Sequence, residues 1–398
     1  MTIKDIFKFK SKKDAPVEVD TFDAFQFSRP EIPRVIEKKS IPWVLYGEDN
    51  DYPLFLTELL STSAIHNAIV EGKSKMMAGS GFLLNGAIDK TASEAVYNSL
   101  TSDVKSRYDA FINNPNGEPL VKINRKIAKD YQKNGAFALE VVWSLDFTRI
   151  ATIKYINTDN LRAGKLENDV VKEYWYSRDW AQHTKAGYKP KRIPVFDPLE
   201  PTKEHKEASQ IIYVKNGNLE YYGEPSYQGA MSWIKIDSQM GLFHLSNIEN
   251  GFSPSMTIKF YKKPASPEKK QEILDNIRKQ FAGAKNTGKA MVFFSDGKEL
   301  SPDVEPVQVN NLDKQFMLLA DQAVQQVCSG HRVTSPLLFG ISVPGKLGGS
   351  SELDVAYRIF DNSVVEPDRN QAEEVWNLLL EVNKVGVTLE IDKFNPLV

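Results

Sequence analysis

The chain has 398 residues, 41% apolar and 26% charged, with 50 basic against 52 acidic side chains and a single cysteine. These are the proportions of a globular protein with a large core, and the near-neutral balance argues against a surface that grips nucleic acid over most of its area. Cys328 alone excludes an internal disulfide, and no apolar run reaches the roughly 18 residues of a membrane-spanning helix.

Residues 1–25 are basic from Lys4 to Lys13 and then acidic through Glu18, Asp20 and Asp23; they read as a flexible N-terminal arm. The basic start has no apolar centre, so it is not a secretory signal, and synthesis in a reducing cytoplasm is expected. Residues 26–223 read as an α+β domain. In it, Glu48, Asp49 and Asp51 look like a calcium loop, but Pro53 and Leu54 break the ligand spacing such a loop needs, and a polar turn before a helix is the better reading. One helix is expected from Leu54 to Ala78 and further helix over 100–134, broken at Pro115 and Gly117. Ala136–Trp143 has the β-branched and aromatic content of a strand, with Ile150–Ile156 as its antiparallel partner after a turn at Asp146 and Phe147. Shorter strands follow at Val171–Tyr176, Ile193–Phe196 and Ile211–Val214.

A long helix is expected to open at Tyr221–Ser226 and run to Asn250, burying Ala230, Trp233, Ile236, Met240 and Phe243. Residues 252–311 read as a small αβ module: a strand at Met256–Tyr261, a helix capped by Ser266-Pro267, a strand at Ala290–Phe294 and an edge strand at Val304–Val309. A second long helix spans 312–331. A Gly- and Pro-rich segment, 332–352, leads to a helix begun by Ser350 or Ser351, bent by Pro367, and followed by a strand at Val385–Ile391.

Candidate chemistry is sparse. Gly340-Ile-Ser-Val-Pro-Gly-Lys346 fits the GxxxxGK of a phosphate-binding loop. That motif needs Ser or Thr next, a strand before it and a helix directly after, whereas Leu347, Gly348 and Gly349 follow here. The histidines (His66, His183, His205, His244, His331) are scattered, with no His or Cys at metal-ligand spacing. Acidic residues fall in turns and on polar faces, with no apolar setting to raise a pKa. No catalytic or cofactor-binding constellation emerges, so no cofactor or metal is expected. Lys262, Lys263, Lys269 and Lys270 cluster in the small module. Lys346 is the only charge between Arg332 and Glu352.

This order of parts, across about residues 40–395, resembles the portal proteins of tailed bacteriophages. The resemblance rests also on Tyr222-Gly-Glu-Pro-Ser-Tyr227 before a long helix, Ser335-Pro-Leu-Leu-Phe-Gly340 after another, and Ser350-Ser-Glu352 opening a helix that carries Val365-Glu-Pro367. It implies a wing at 26–223, stem helices at 224–251 and 312–331, a clip at 252–311, a tunnel loop at 332–352, and a long wing helix with a terminal strand at 353–398, the crown being minimal or absent. It further implies a non-enzymatic homo-oligomeric ring, a dodecamer, at one capsid vertex of the virion. Double-stranded DNA would pass through that ring in packaging and ejection. The major capsid protein, the terminase large subunit and a head-completion or tail adaptor would be its partners. Val343, Lys346, Leu347 and Ser350 would then face the channel, and Lys262, Lys263, Lys269 and Lys270 would meet terminase or adaptor. The alternatives are a P-loop-like nucleotidase built on Gly340–Lys346 and a capsid-associated structural protein with no DNA channel.

Overall fold

The computed structural model describes residues 35–198, 208–249, 257–260, 266–269, 271–273, 291–294, 312–342 and 349–393. All belong to the unit Pro33–Val398; the unit Met1–Ile32, and the expected arm with it, lies outside the described residues.

The first part runs β1 (Val35–Glu37), β2 (Val44–Tyr46), α1 (Tyr52–Thr62), α2 (Ala64–Ala78), β3 (Phe82–Leu84), α3 (Lys90–Ser99), α4 (Ser102–Asn113) and α5 (Leu120–Asn134). The single helix expected over 54–78 is two. Ser63 leaves the helical region at φ −100° and ψ 115°, and its hydroxyl accepts the backbone N–H of His66. A serine in that conformation caps a new helix rather than continuing the old one.

The strands β4 (Ala136–Trp143) and β5 (Ile150–Ile156) then pair antiparallel as expected. After them come β6 (Leu161–Ala163), β7 (Leu166–Glu167), β8 (Val170–Val171), β9 (Glu173–Tyr176), β10 (Lys191–Pro194) and β11 (Ser209–Lys215). One sheet has the order β11-β4-β5 and another β10-β9-β6. Their alternating residues enter two neighbouring cores. One core gathers α2, α5, β4 and β5; the other holds Val44, Tyr46, Ile69, Ile211, Tyr222 and Tyr227.

α6 covers Met231–Glu249, not 221–250, and at 19 residues spans about 28 Å. Its buried residues are Met231, Ile234 and Ser238, so the face turned inward is not the one expected from Trp233, Ile236 and Met240. β12 (Thr257–Phe260) and β13 (Met291–Phe294) pair in parallel, which demands a crossover between them. Part of it is helical, and the Ser266 hydroxyl accepts the N–H of Lys269 at 3.4 Å, as expected of a cap. The proposed edge strand Val304–Val309 lies outside the described residues.

α7 (Leu312–Gly330) follows, then a 3-10 turn at Pro336–Phe339, α8 (Ser350–Phe360), a π-helical turn at Asp361–Val365, α9 (Glu366–Val382) and β14 (Leu389–Ile391), which pairs with β3. Gly349, not Ser350 or Ser351, occupies the cap position of α8, with no side-chain cap bond. The interruption at Pro367 is resolved by the π turn: Pro367 falls in the first turn of α9, where its missing N–H costs nothing. The extra residue of the turn also shifts the apolar stripe. Burial passes from Tyr357 and Phe360 to Asp361, Val365, Arg369 and Ala372, then to Val375, Trp376, Leu379 and Leu380. These residues share the core of α5, β4 and β5.

Candidate functional site

The two long helices, α6 and α7, pack on each other, and the chain enters and leaves them at a common junction. The stretch Tyr222–Tyr227 forms one side of it. Tyr222 stacks on Tyr46 with ring centroids 3.9 Å apart, its hydroxyl donates to the carbonyl of Val44, and Tyr46 donates to the Gly223 carbonyl at 3.0 Å. Gly135 sits at φ +67°, and its backbone lies so close to Gly223 and Glu224 that a Cβ at Gly135 or Gly223 would overlap the facing carbonyl. The Ser226 hydroxyl accepts from Lys73 at 3.1 Å, and Tyr227 donates to the Lys133 carbonyl at 2.6 Å. With these bonds made, 221–227 is held as extended loop, which is why α6 starts later than its spacing indicates.

The other side is the end of α7. Gly330 abuts Ala230, leaving no room for a side chain. His331 N–H closes on the Val327 carbonyl at 3.0 Å, Arg332 takes the left-handed region at φ 57°, and Val333 N–H bonds the Cys328 carbonyl at 2.9 Å. Such a closure satisfies the last carbonyls of the helix. Cys328 is packed, its thiol pushed up to about 11 by burial.

From there the Gly- and Pro-rich segment is pinned, as far as Ile341, further than its glycines suggest. Thr334 donates to the Ala356 carbonyl at 2.7 Å. The ring of Phe339 lies over Gly72 of α2 and meets Phe360 edge-on, centroids 5.4 Å apart. Ile341 N–H bonds the Pro336 carbonyl at 3.1 Å, and Gly340 turns the chain at φ +69°. Of the channel candidates, Val343, Lys346 and Leu347 lie outside the described residues, and Ser350 is the first residue of α8. Of the module lysines, Lys269 is an exposed helical residue, and Lys262, Lys263 and Lys270 lie outside the described residues. What precedes Gly340 is a 3-10 turn after a helix, not the strand a phosphate-binding loop requires.

Buried polar groups at the junction escaped the sequence reading. His66 and His331, 265 positions apart, meet with Nδ1 of the first 2.9 Å from Nε2 of the second. Tyr227 lies against both rings. His66, Ile69, Val70, Lys73 and Met77 repeat at helical spacing on the buried face of α2, and that is the signal that finds them: polar residues on an apolar stripe. Burial lowers Lys73 to about 8, with Asp368 opposing the shift. Asp130 overturns the expectation that no carboxylate sits in an apolar setting. Burial raises it to about 6, against the lowering effects of Lys133 and of the Thr158 N–H. Lys133 pairs with Asp159 at 2.6 Å, and Arg369 with Asp361 at 2.6 Å.

Most of these polar groups bond backbone or one another. A groove of about 420 Å³ between α4 and the β4–β5 turn is lined by Arg107, Asn116 and Arg149, with no carboxylate, cysteine or histidine. Among the described residues no three His, Cys, Asp or Glu side chains gather as a metal site would need.

Against known proteins, the family model described as phage portal protein matches residues 92–391. No curated protein matches the chain. The fold is similar to a chain of the neck of an empty GTA particle computed with C6 symmetry: TM-score 0.56, 15% identity, 87% of this chain and 86% of that one. It is similar also to a chain of the neck of a native GTA particle computed with C12 symmetry: TM-score 0.53, 15% identity, 87% of this chain and 85% of that one. A chain from the virion of a native gene transfer agent particle aligns with TM-score 0.53 at 14% identity, over 85% of this chain and 83% of that one.

Proposed function

The chain belongs to the phage portal protein family, and from that premise we propose that copies of it close into a ring at one capsid vertex and conduct double-stranded DNA through its axis. The family is structural rather than enzymatic, and the chain acts without catalysis, as a channel for packaging by the terminase, for joining head to tail through an adaptor, and for ejection. Its place is the virion. In this reading α6 and α7 are the stem and the β12–β13 module is the clip.

The observation that carries the ring is an apolar surface on the paired long helices. Leu242 and Leu245 of α6 are each 52% exposed, and Met317 and Leu318 of α7 are 69% and 60% exposed. Large side chains gathered on one helix pair and left in water mark an association surface. A second copy supplies the matching one, since each subunit carries both helices and a head-to-tail contact repeats until the ring closes. The near-neutral charge fits a conduit that must let DNA slide.

Native mass measurement of the purified full-length chain, with negative-stain images, tests the reading. A closed ring of about twelve copies, the number the portal resemblance implies, with an open axis is expected. A dimer, or a closed particle without an axial hole, overturns it.

A further inference from the structure

His66 of α2 and His331 at the end of α7 share a side-chain hydrogen bond through rings that are almost wholly buried, at 0% and 1% exposure. The contact fixes the protonation pattern. One ring must donate through its facing nitrogen and the other accept, so the two cannot both be charged, and burial at 0% and 1% exposure keeps both neutral. The outward nitrogens, Nε2 of His66 and Nδ1 of His331, have no hydrogen-bond partner among the described residues. One of them is therefore a buried acceptor and the other a buried N–H, and each such group left unpaired is a cost that opening to water removes.

We propose that this pair is a joint between α2 and the segment that follows α7 that holds while both rings are neutral, and that a proton arriving at the outward acceptor nitrogen opens the joint and releases residues 331–341 while the sheet beneath stays folded. The inference does not depend on the ring.

The surroundings favour opening over acceptance of the charge. Lys73 on α2 is a cation that acts on both rings, and Arg332 adjoins His331 in the chain. The acids packed near the pair are committed elsewhere: Asp237 of α6 accepts the Ser63 hydroxyl at 2.6 Å, and Asp368 of α9 accepts from Gln132 at 2.7 Å and faces Lys73. The aromatic face of Tyr227 supplies no ion pair. An imidazolium formed here would stand in an apolar site beside a like charge, which burial and repulsion both oppose. The joint also sits where movement is local. Gly330 and His331 end a helix, and Arg332 is already in a left-handed turn.

Hydrogen exchange of the full-length protein between pH 7 and pH 5, corrected for the intrinsic pH dependence, tests this. Uptake of one proton by an opened ring should lower the protection of amides 331–341 by about 25-fold over that range, and uptake by both by about the square of that. The amides of β4, which open only with the whole fold, should stay better protected than 331–341 at both pH values, which makes the wild-type protein its own control. In the double variant His66→Asn, His331→Gln, whose amides retain the hydrogen-bonding reach but do not titrate, the loss should vanish. Protection at 331–341 that stays flat in the wild type, that equals the protection of β4, or that falls equally in the double variant would each overturn the proposal.

Discussion

The ring of Phe339 rests directly on the backbone of Gly72, in the space a Cβ would take. That contact pins the segment that follows α7 to α2. The glycine is needed because an aromatic ring can lie flat on a helix only where a residue has no side chain.

Filling that space should lift the ring. Gly72→Val is expected to lower stability by about 1–3 kcal/mol, as overpacking does, and to open the chain after Arg332 to trypsin. Phe339→Ala should cost a similar amount, since the ring is only partly buried. Thermal melts and limited proteolysis read both. Equal cleavage in wild type and Gly72→Val would mean that the ring holds nothing in place.

Acid should weaken the fold, and the sign follows from two opposing groups. The folded pKa of His66 is lowered to about 3 by burial, so its contribution is present above pH 6.5 and is lost as pH falls below it; His331 is lowered in the same sense. Asp130 is raised to about 6, so it adds stability below that value and loses it as pH rises. Between pH 7 and pH 5 His66 removes about 2 kcal/mol, His331 acts in the same direction, and Asp130 returns about 1 kcal/mol, leaving a net loss of at least about 1 kcal/mol. Denaturant titrations at the two pH values check it, and Asp130→Asn should steepen the loss by about 1 kcal/mol. A flat profile would show that the rings are hydrated in solution.

Charge placed on the exposed apolar residues should separate folding from assembly. Leu245→Glu with Leu318→Glu is expected to leave the melting temperature within about 2 °C, because both side chains already face water. The same change should abolish rings in native mass spectra. Rings of unaltered size would remove α6 and α7 from the subunit interface.

The π turn depends on its ion pair. Asp361 and Arg369 are nearly inaccessible, and Arg369 also reaches the Met76 carbonyl at 3.2 Å. Arg369→Met strands a buried carboxylate and should cost about 3–5 kcal/mol, with Lys393, 3.8 Å from Asp361, recovering part of it. Adding Asp361→Leu should restore much of the loss, since an apolar pair of similar size needs no partner. Failure of that rescue would place the effect in the turn geometry, not in the charge.

What was legible in the sequence was local. Apolar spacing located α7 and the helices around Pro367, β-branched runs located β4 and β5, and turn chemistry placed the break between them, because each signal is carried by residues adjacent in the chain. The order of these parts sufficed for the portal resemblance, and the family match agrees with it. What the tertiary structure decided was every choice that distant residues make together. α6 begins at Met231 because Tyr46, Lys73 and Lys133 hold 222–227 as loop. The segment after α7 is pinned as far as Ile341 because Gly72 admits a ring. His66 and His331, unremarkable alone, become a pair because two helices far apart in the chain cross there. Spacing along one chain encodes a face; which face it meets is set by packing, and only there do a buried histidine and a buried aspartate acquire their altered proton affinities.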